Sequence, residues 1–271
     1  MITSMRLPGS TSLQVSPLGL GTVKFGRNQS VKYPRPFELP SDQEALTLLE
    51  LAWDLGINLL DTAPAYNKSE ERLGRLLRQC RRDWVIVTKV GEEFHDGVSR
   101  FDFSAAAAYA SVERSLRRLG VETLDVVLIH SSGDDLAILE QEEVLPTLRD
   151  LQQAGLIRAV GMSSKTVAGG LRAVECCDAV MVTYNLAQRE ELPVIQAAHA
   201  AGKGVFIKKG LLSGHLDLVE STDPVQSALN LIFAEPGVSS VVVGTLNPEH
   251  LRANMTAAER ALQHVNSVTP V

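Results

Sequence analysis

The chain has 271 residues, 45% of them hydrophobic and 21% charged, with a formal net charge of −6. That acidic balance, without clustered Lys or Arg, excludes a general nucleic-acid or anionic-membrane surface. Cys80, Cys176 and Cys177 follow no disulfide or metal-ligand spacing, the opening MITSMRLPGSTS has no apolar leader core, and no apolar run is long enough to span a bilayer, so the expectation is a cytoplasmic globular protein.

In chain order, RLPGSTSLQVS carries Pro-Gly between short polar-apolar stretches and predicts a β-hairpin. VSPLGLG reads as a strand, followed by a Pro-broken loop from Lys24 to Pro40. SDQEALTLLELAWDLG opens with Ser41 and Glu44 as a capping box, places Ala45, Leu48, Leu49, Ala52 and Leu55 on one helical face, and stops at Gly56. Strands INLLD, WVIVTK, LDVVLIH, IRAVGMS, AVMVTYN, GVFIKK and VSSVVVG then alternate with helices SEERLGRLLRQC, SAAAAYASVERSLRRLG, EEVLPTLRDLQQAG, VAGGLRAVEC, LPVIQAAHAAG, PVQSALNLIFAE and PEHLRANMTAAERALQ.

Strands that are apolar throughout are buried on both faces, as in a parallel sheet covered by helices. Eight strand–helix units at this length predict an α/β fold of the (β/α)8 TIM-barrel type with an N-terminal hairpin, as one domain over 1–271. A doubly wound sheet is the rival, but GLGTVKFG opens onto a Pro-broken loop instead of a glycine-led helix.

In a barrel the chemistry gathers at the C-terminal strand ends. There the sequence puts Asp61, with Tyr66 in the following loop, then Lys89, His130 and Ser163. Singly, Asp61 suits a helix N-cap, Lys89 a solvated strand end and His130 a satisfied rim position. Together at one mouth they suit a shared site. Tyr is a poor acid near neutral pH, and a neighbouring ammonium brings its pKa down. Lys89 can supply that charge, Asp61 can hold Lys89, and His130 can donate to a substrate oxygen. Such a set protonates a carbonyl oxygen while hydride reaches its carbon, and a hydride implies a nicotinamide cofactor. A lyase using Lys89 as a Schiff-base nucleophile, or a nicotinamide-binding regulatory barrel without turnover, remains an alternative reading.

The segments RLPGSTSLQVSPLGLGT, GINLLDTAPAYNKSEERLG, VIVTK, LDVVLIH, IRAVGMSS, VTYN and VVVGTLNPEHLRANM, in that order, resemble the aldo-keto reductases over nearly the whole chain. The resemblance implies that Asp61, Tyr66, Lys89 and His130 are the catalytic tetrad, with Tyr66 the proton donor, and that the partner is a small carbonyl substrate. It also implies NADP(H), with NAD(H) as the alternative, held by Gly21, Thr22, Asp61, Ser163, Ser164, Tyr184, Lys208, Gly244, Thr245, Arg252 and Asn254. The chain departs from the family pattern in places. Ser164 stands for a usual Asn, Met181 for a Gln, Lys208 for a stacking Tyr, and Leu246 for a 2′-phosphate contact, which leaves Arg252 and His250. Lys208 and Lys209 then face the pyrophosphate, an acidic substrate, or solvent. Tyr33 and Phe37 serve as pocket walls or as rim packing. A monomer or small homo-oligomer is expected.

Overall fold

The computed structural model describes residues 5–6, 13–80, 82–218 and 220–268. Strands β1 (Met5–Arg6) and β2 (Gln14–Val15) pair antiparallel, as the hairpin expectation requires; its turn lies outside the described residues. The next elements are β3 (Leu18–Gly21), α1 (Val23–Gly26), α2 (Asp42–Asp54), β4 (Leu59–Asp61), a 3-10 turn at Pro64–Tyr66, α3 (Ser69–Leu77) and β5 (Val85–Val90). A hairpin of β6 (Glu92–His95) and β7 (Val98–Phe101) follows, then α4 (Ala105–Leu119), β8 (Leu124–His130), α5 (Asp135–Glu140), α6 (Val144–Gln153) and β9 (Ile157–Ser163). The chain continues through α7 (Val167–Cys176), β10 (Ala179–Thr183), α8 (Leu192–Ala200), β11 (Gly204–Lys208), α9 (Pro224–Phe233), β12 (Ser240–Val243) and α10 (Pro248–Val268). Among the described residues no helix is long and apolar enough to cross a membrane.

Eight strands close a barrel in the order β10-β11-β12-β3-β4-β5-β8-β9, every neighbouring pair parallel. The period of two along each strand divides the apolar residues between two cores. Leu59, Val85, Val87, Val126, Leu128, Ala159, Ala179, Met181 and Phe206 fill the interior. Their strand neighbours, among them Ile86, Val127, Val160, Val180 and Ile207, face the helices. Leu13 and Val15 join the interior cluster, so the hairpin region plugs one end of the barrel.

Helix starts follow the sequence signals. Ser41 and Glu44 form the predicted capping box on α2, and Ser104 and Thr166 cap α4 and α7. Several elements go beyond the sequence reading, among them α1, the β6–β7 hairpin and α5. The first residues of the expected loop form α1, and Gly26 there sits so close to the Tyr66 turn that a Cβ would lie 2.2 Å from the Tyr66 carbonyl oxygen. The β6–β7 hairpin was not foreseen. Its signal is the Asp96-Gly97 dipeptide, whose positive φ values of 51° and 82° suit the tight turn between twisted strands.

Behind the barrel wall, Glu70 of α3 is fully buried and accepts hydrogen bonds from Thr88 Oγ1 and Ser115 Oγ, both at 2.7 Å. Its other oxygen meets Arg118 at 3.2 Å. One carboxylate thus joins α3, β5 and α4. Removing one member of a buried charged network leaves its partners desolvated and unpaired. Glu70→Ala is therefore expected to cost about 3 kcal/mol of stability in urea unfolding; a change below about 0.5 kcal/mol, the range of ordinary surface substitutions, would contradict this role.

Candidate active site

The site is the next layer of the barrel interior. Asp61, Lys89, His130, Ser163 and Lys208 each lie two residues beyond an inward position, after Leu59, Val87, Leu128, Gly161 and Phe206. The strand period therefore turns all five inward at the C-terminal end. Asp61, Lys89, His130, Ser163 and Lys208 line one cavity of about 900 Å3 with Tyr66.

At its floor, Lys89 Nζ lies 2.5 Å from Asp61 Oδ1 and donates to the Thr62 carbonyl at 2.8 Å. Both charged groups are buried. The Tyr66 hydroxyl donates to Asp61 Oδ2 at 3.5 Å, and Lys89 Nζ sits 4.9 Å from the Tyr66 ring centroid. Burial, reinforced by the carboxylates of Asp61 and Glu92, pushes the Tyr66 phenol well above its usual value, with Arg27 opposing. The expectation that Lys89 draws this pKa down is corrected by the geometry. The lysine charge is met by Asp61, and the phenol faces carboxylates, so Tyr66 holds its proton.

His130 ends β8, and its Nδ1 lies 2.8 Å from Glu92 Oε2, close but without the alignment of a hydrogen bond. Burial lowers the imidazole pKa, the Glu92 carboxylate raises it, and Lys89 and Lys208 lower it further; the net direction is down. Burial pushes the Glu92 carboxyl up, yet His130, Ser99 and Arg27 together hold it at about 2. Sequence reasoning missed Glu92 because it lies on the unforeseen hairpin. It also missed Arg27, whose guanidinium stacks 3.4 Å from the Phe94 ring centroid and donates to the Ala65 carbonyl at 3.1 Å, pinning the hairpin to the Tyr66 turn.

On the opposite wall, Lys208 Nζ donates to Ser163 Oγ at 2.8 Å and to the Ser164 carbonyl at 2.5 Å. Burial, with Lys209 and Lys89 nearby, lowers its pKa to about 8 against the pull of Glu191 and Asp135. Gly21, Gly244, Thr245 and Asn254 also line the cavity, as do Met181, Lys209 and His250. Thr245 Oγ1 accepts from the Asn247 amide at 3.0 Å, just ahead of α10. The loop after α1 closes over this side. Tyr33 and Phe37 line the cavity, and a Cβ on Gly244 would meet the Tyr33 hydroxyl at 2.8 Å.

Four residues assigned to the cofactor from the sequence lie outside this lining. Thr22 is buried, its hydroxyl donating to the Asp61 carbonyl at 2.9 Å. Ser164 Oγ is turned to Glu191 at 3.0 Å. Tyr184 packs in the outer core with its hydroxyl 3.4 Å from Glu235. Arg252 is exposed, 3.8 Å from Glu249. The physical reason is common to the first three: each hydroxyl already has a hydrogen-bond partner within the protein. For Arg252, the helical turn carries it outward while His250 and Asn254 face in.

The polar lining fits a nicotinamide dinucleotide. Bare backbone at Gly21 and Gly244 allows close approach, the α10 N-terminus with Thr245 suits a phosphate, and Ser163 with Lys208 offers a hydroxyl and an ammonium donor to an amide group. Among the described residues no cluster of His, Cys, Asp and Glu is arranged to hold a metal ion.

Comparison with known proteins agrees with this geometry. The model of the aldo/keto reductase family matches residues 17–220. A crystal structure from Pseudomonas aeruginosa, assigned to the aldo-keto reductases, superposes with a TM-score of 0.87 at 55% identity, covering 95% of each chain. An oxidoreductase of Bacillus subtilis, YqkF, is 27% identical over 92% of this chain and 89% of its own length. Pyridoxine 4-dehydrogenase of Escherichia coli is 29% identical over 90% of this chain and 89% of its own.

Glu92 makes stability depend on acid. Its folded pKa of about 2 lies below the ordinary 4.5. A depressed carboxyl contributes stability above the unfolded value and loses it as pH falls through the folded one. The melting-temperature gap between wild type and Glu92→Gln should therefore be present near pH 5 and shrink towards pH 2. A gap independent of pH over that window would contradict the assignment.

Proposed function

The chain belongs to the aldo/keto reductase family, and from that premise we propose that it is an NADP(H)-dependent oxidoreductase interconverting a small aldehyde or ketone with its alcohol. The observation carrying this reading is the buried Asp61–Lys89 pair with the protonated Tyr66 phenol beside it on the cavity floor.

Tyr66 is the proton donor to the substrate carbonyl oxygen. A phenol pushed above its usual pKa keeps its proton until the oxygen becomes basic, and that happens only as the carbonyl carbon gains electrons. Loss of the proton leaves a phenolate beside Lys89, 4.9 Å from the ring centroid, whose ammonium Asp61 keeps in place. His130 closes the other side of the oxygen site. Ser163, Lys208, Gly21, Gly244, Thr245 and Asn254 would hold the cofactor, which would supply the hydride that no side chain can give. Apolar groups from Val23, Met181 and Leu211 exclude water from the same cavity.

Preference for the phosphorylated cofactor rests on charge. Lys24, Arg35, Lys209 and His250 line the cavity beyond the tetrad, with Asp217 the acidic counterweight. A 2′-phosphate needs firm cationic partners to replace its water.

Tyr66→Phe should retain cofactor affinity and lose about 10²–10⁴-fold of carbonyl reduction, measured on a panel of aldehydes and ketones with NADPH and NADH in parallel. Turnover within a few-fold of wild type would remove Tyr66 as the acid.

Cofactor titrations separate the two candidates for the 2′-phosphate. Because His250 lines the cavity and Arg252 does not, His250→Ala should weaken NADPH by about tenfold, one charge-assisted contact, with NADH little changed. Arg252→Ala should leave both near wild type. A selective NADPH loss in Arg252→Ala alone would reverse this assignment, and NADH preference in the wild type would overturn the NADP(H) reading.

A further inference from the structure

Glu92 belongs to neither the tetrad nor the cofactor wall, yet the fold takes several steps to bring it to His130. After β5, Gly91 turns the chain at φ +97°, with the Phe103 ring 2.4 Å from where a Cβ would stand. β6 then runs back over the Tyr66 turn, where Phe94 packs with Ala63, Ala65 and Tyr66. Arg27 stacks on the outer side of Phe94. Glu92 is left with one oxygen accepting from Ser99 Oγ at 2.6 Å and the other 2.8 Å from His130 Nδ1. Nδ1 is fully buried, while the imidazole as a whole keeps 21% of its exposure and lines the cavity. The ring therefore shows its opposite, Nε2-bearing edge to the substrate space.

A neutral imidazole carries one N–H, and which nitrogen bears it is decided by the partner each nitrogen meets. A carboxylate can only accept. With the proton on Nε2, the electron-rich Nδ1 end of the ring dipole would lie 2.8 Å from a carboxylate oxygen, whereas a proton on Nδ1 puts the positive end of that dipole there. We propose that Glu92 is a positioning residue that keeps the proton of neutral His130 on Nδ1, so that Nε2 meets the substrate oxygen as an acceptor when the ring is neutral and as a donor only when it is an imidazolium.

This deepens the carbonyl–alcohol reading and rests on it for its catalytic consequence. The Glu92 carboxyl, held at about 2, is ionised throughout the working pH range. The groups facing the ring are Glu92 on one side and Lys89 and Lys208 on the other; Glu92 itself faces Arg27, and Tyr66 faces Asp61, Glu92 and Arg27. Reduction needs a donor at the carbonyl oxygen, so His130 assists it as the imidazolium and the assistance fades as pH rises through the ring's pKa. Oxidation needs an acceptor for the substrate hydroxyl, and neutral His130 with its proton on Nδ1 provides one. The ring exchanges only hydrogen bonds with the substrate; the transferred proton remains that of Tyr66.

The test reads the tautomer directly. Long-range 1H–15N spectra of 15N-labelled protein without cofactor are recorded across pH for wild type, Glu92→Leu and Glu92→Gln, with the His130 signals identified by their loss in His130→Gln. The expected wild-type result is the Nδ1–H form above the titration midpoint. Glu92→Leu should move the ring to the Nε2–H form. Both substitutions should lower the midpoint by about one unit or more, as removal of a contacting opposite charge does. If Glu92→Leu does not fold, the near-isosteric Glu92→Gln still carries the midpoint test, and Glu92→Asp should restore part of the shift. An Nε2–H ring in the wild type, or midpoints unchanged in the variants, would overturn the proposal. The pH profile of carbonyl reduction should move with the midpoint, its basic limb shifting to lower pH in Glu92→Gln. The two readings fail separately. Absence of turnover on every carbonyl with either nucleotide, beside the expected tautomer, removes the reductase reading alone; normal turnover with a Tyr66→Phe defect, beside an Nε2–H ring, removes the Glu92 role alone.

Discussion

The buried ion pair between Asp61 and Lys89 is the constraint on which the rest of the site depends. Taking both charges out of water costs several kcal/mol per ion, and neither charge survives there without the other. The 2.5 Å contact and the bond from Lys89 to the Thr62 carbonyl offset that cost. Both require β4 and β5 side by side in one register, Asp61 opposite Val87 and Lys89 two residues further on. The pair then sets the state of Tyr66. With Lys89 neutralised by its partner, burial and carboxylates govern the phenol, and it stays an acid.

Around this centre the barrel is closed below and dressed above. Leu13 and Val15 fill the lower end beneath the interior layer of valines and leucines. Above, two segments outside the strand–helix repeat meet over Asp61, Tyr66, Lys89 and His130. The β6–β7 hairpin brings Glu92 to His130, and the segment after α1 brings Arg27 to Phe94 and Tyr33 across to Gly244. Neither segment is needed to complete the barrel. Both shape the cavity around Asp61, Tyr66, Lys89 and His130, the hairpin through the charge behind His130 and the loop through the cavity wall.

The wall formed by β9 and β11 shows how a departure from a family pattern is accommodated. Ser164 lies outside the cavity lining and bonds Glu191, while the same glutamate accepts from the Thr183 amide at 2.7 Å. Lys208 reaches across from β11 and donates to Ser163 Oγ and to the Ser164 carbonyl. Asp135 binds the Lys165 and Thr166 amides at 2.9 and 2.8 Å and so fixes the turn that carries these serines. The amine is thus held by neutral oxygens, and burial, with Lys209 and Lys89 nearby, lowers its pKa against the pull of Glu191 and Asp135.

The sequence by itself determined the barrel and the centre of its site. Apolar runs, a capping box at Ser41 and Glu44, and the alternation of units are local signals, and the strand period alone carries Asp61, Lys89, His130, Ser163 and Lys208 inward as the layer above Leu59, Val87, Leu128, Gly161 and Phe206. Tyr66 was legible for a related reason, lying one short turn from Asp61. Only the tertiary structure decided what those groups feel. That Thr22, Ser164 and Tyr184 spend their hydroxyls on partners within the protein, that His250 and not Arg252 faces the cavity, and that Glu92 stands behind His130 all depend on contacts between segments far apart in the chain. Glu92 and His130 are separated by a hairpin and a helix, and no periodicity records the meeting of two such residues. A pKa is set by burial and by charges within a few ångströms, so the raised phenol, the lowered imidazole and the depressed Glu92 carboxyl exist only once the chain has folded around them.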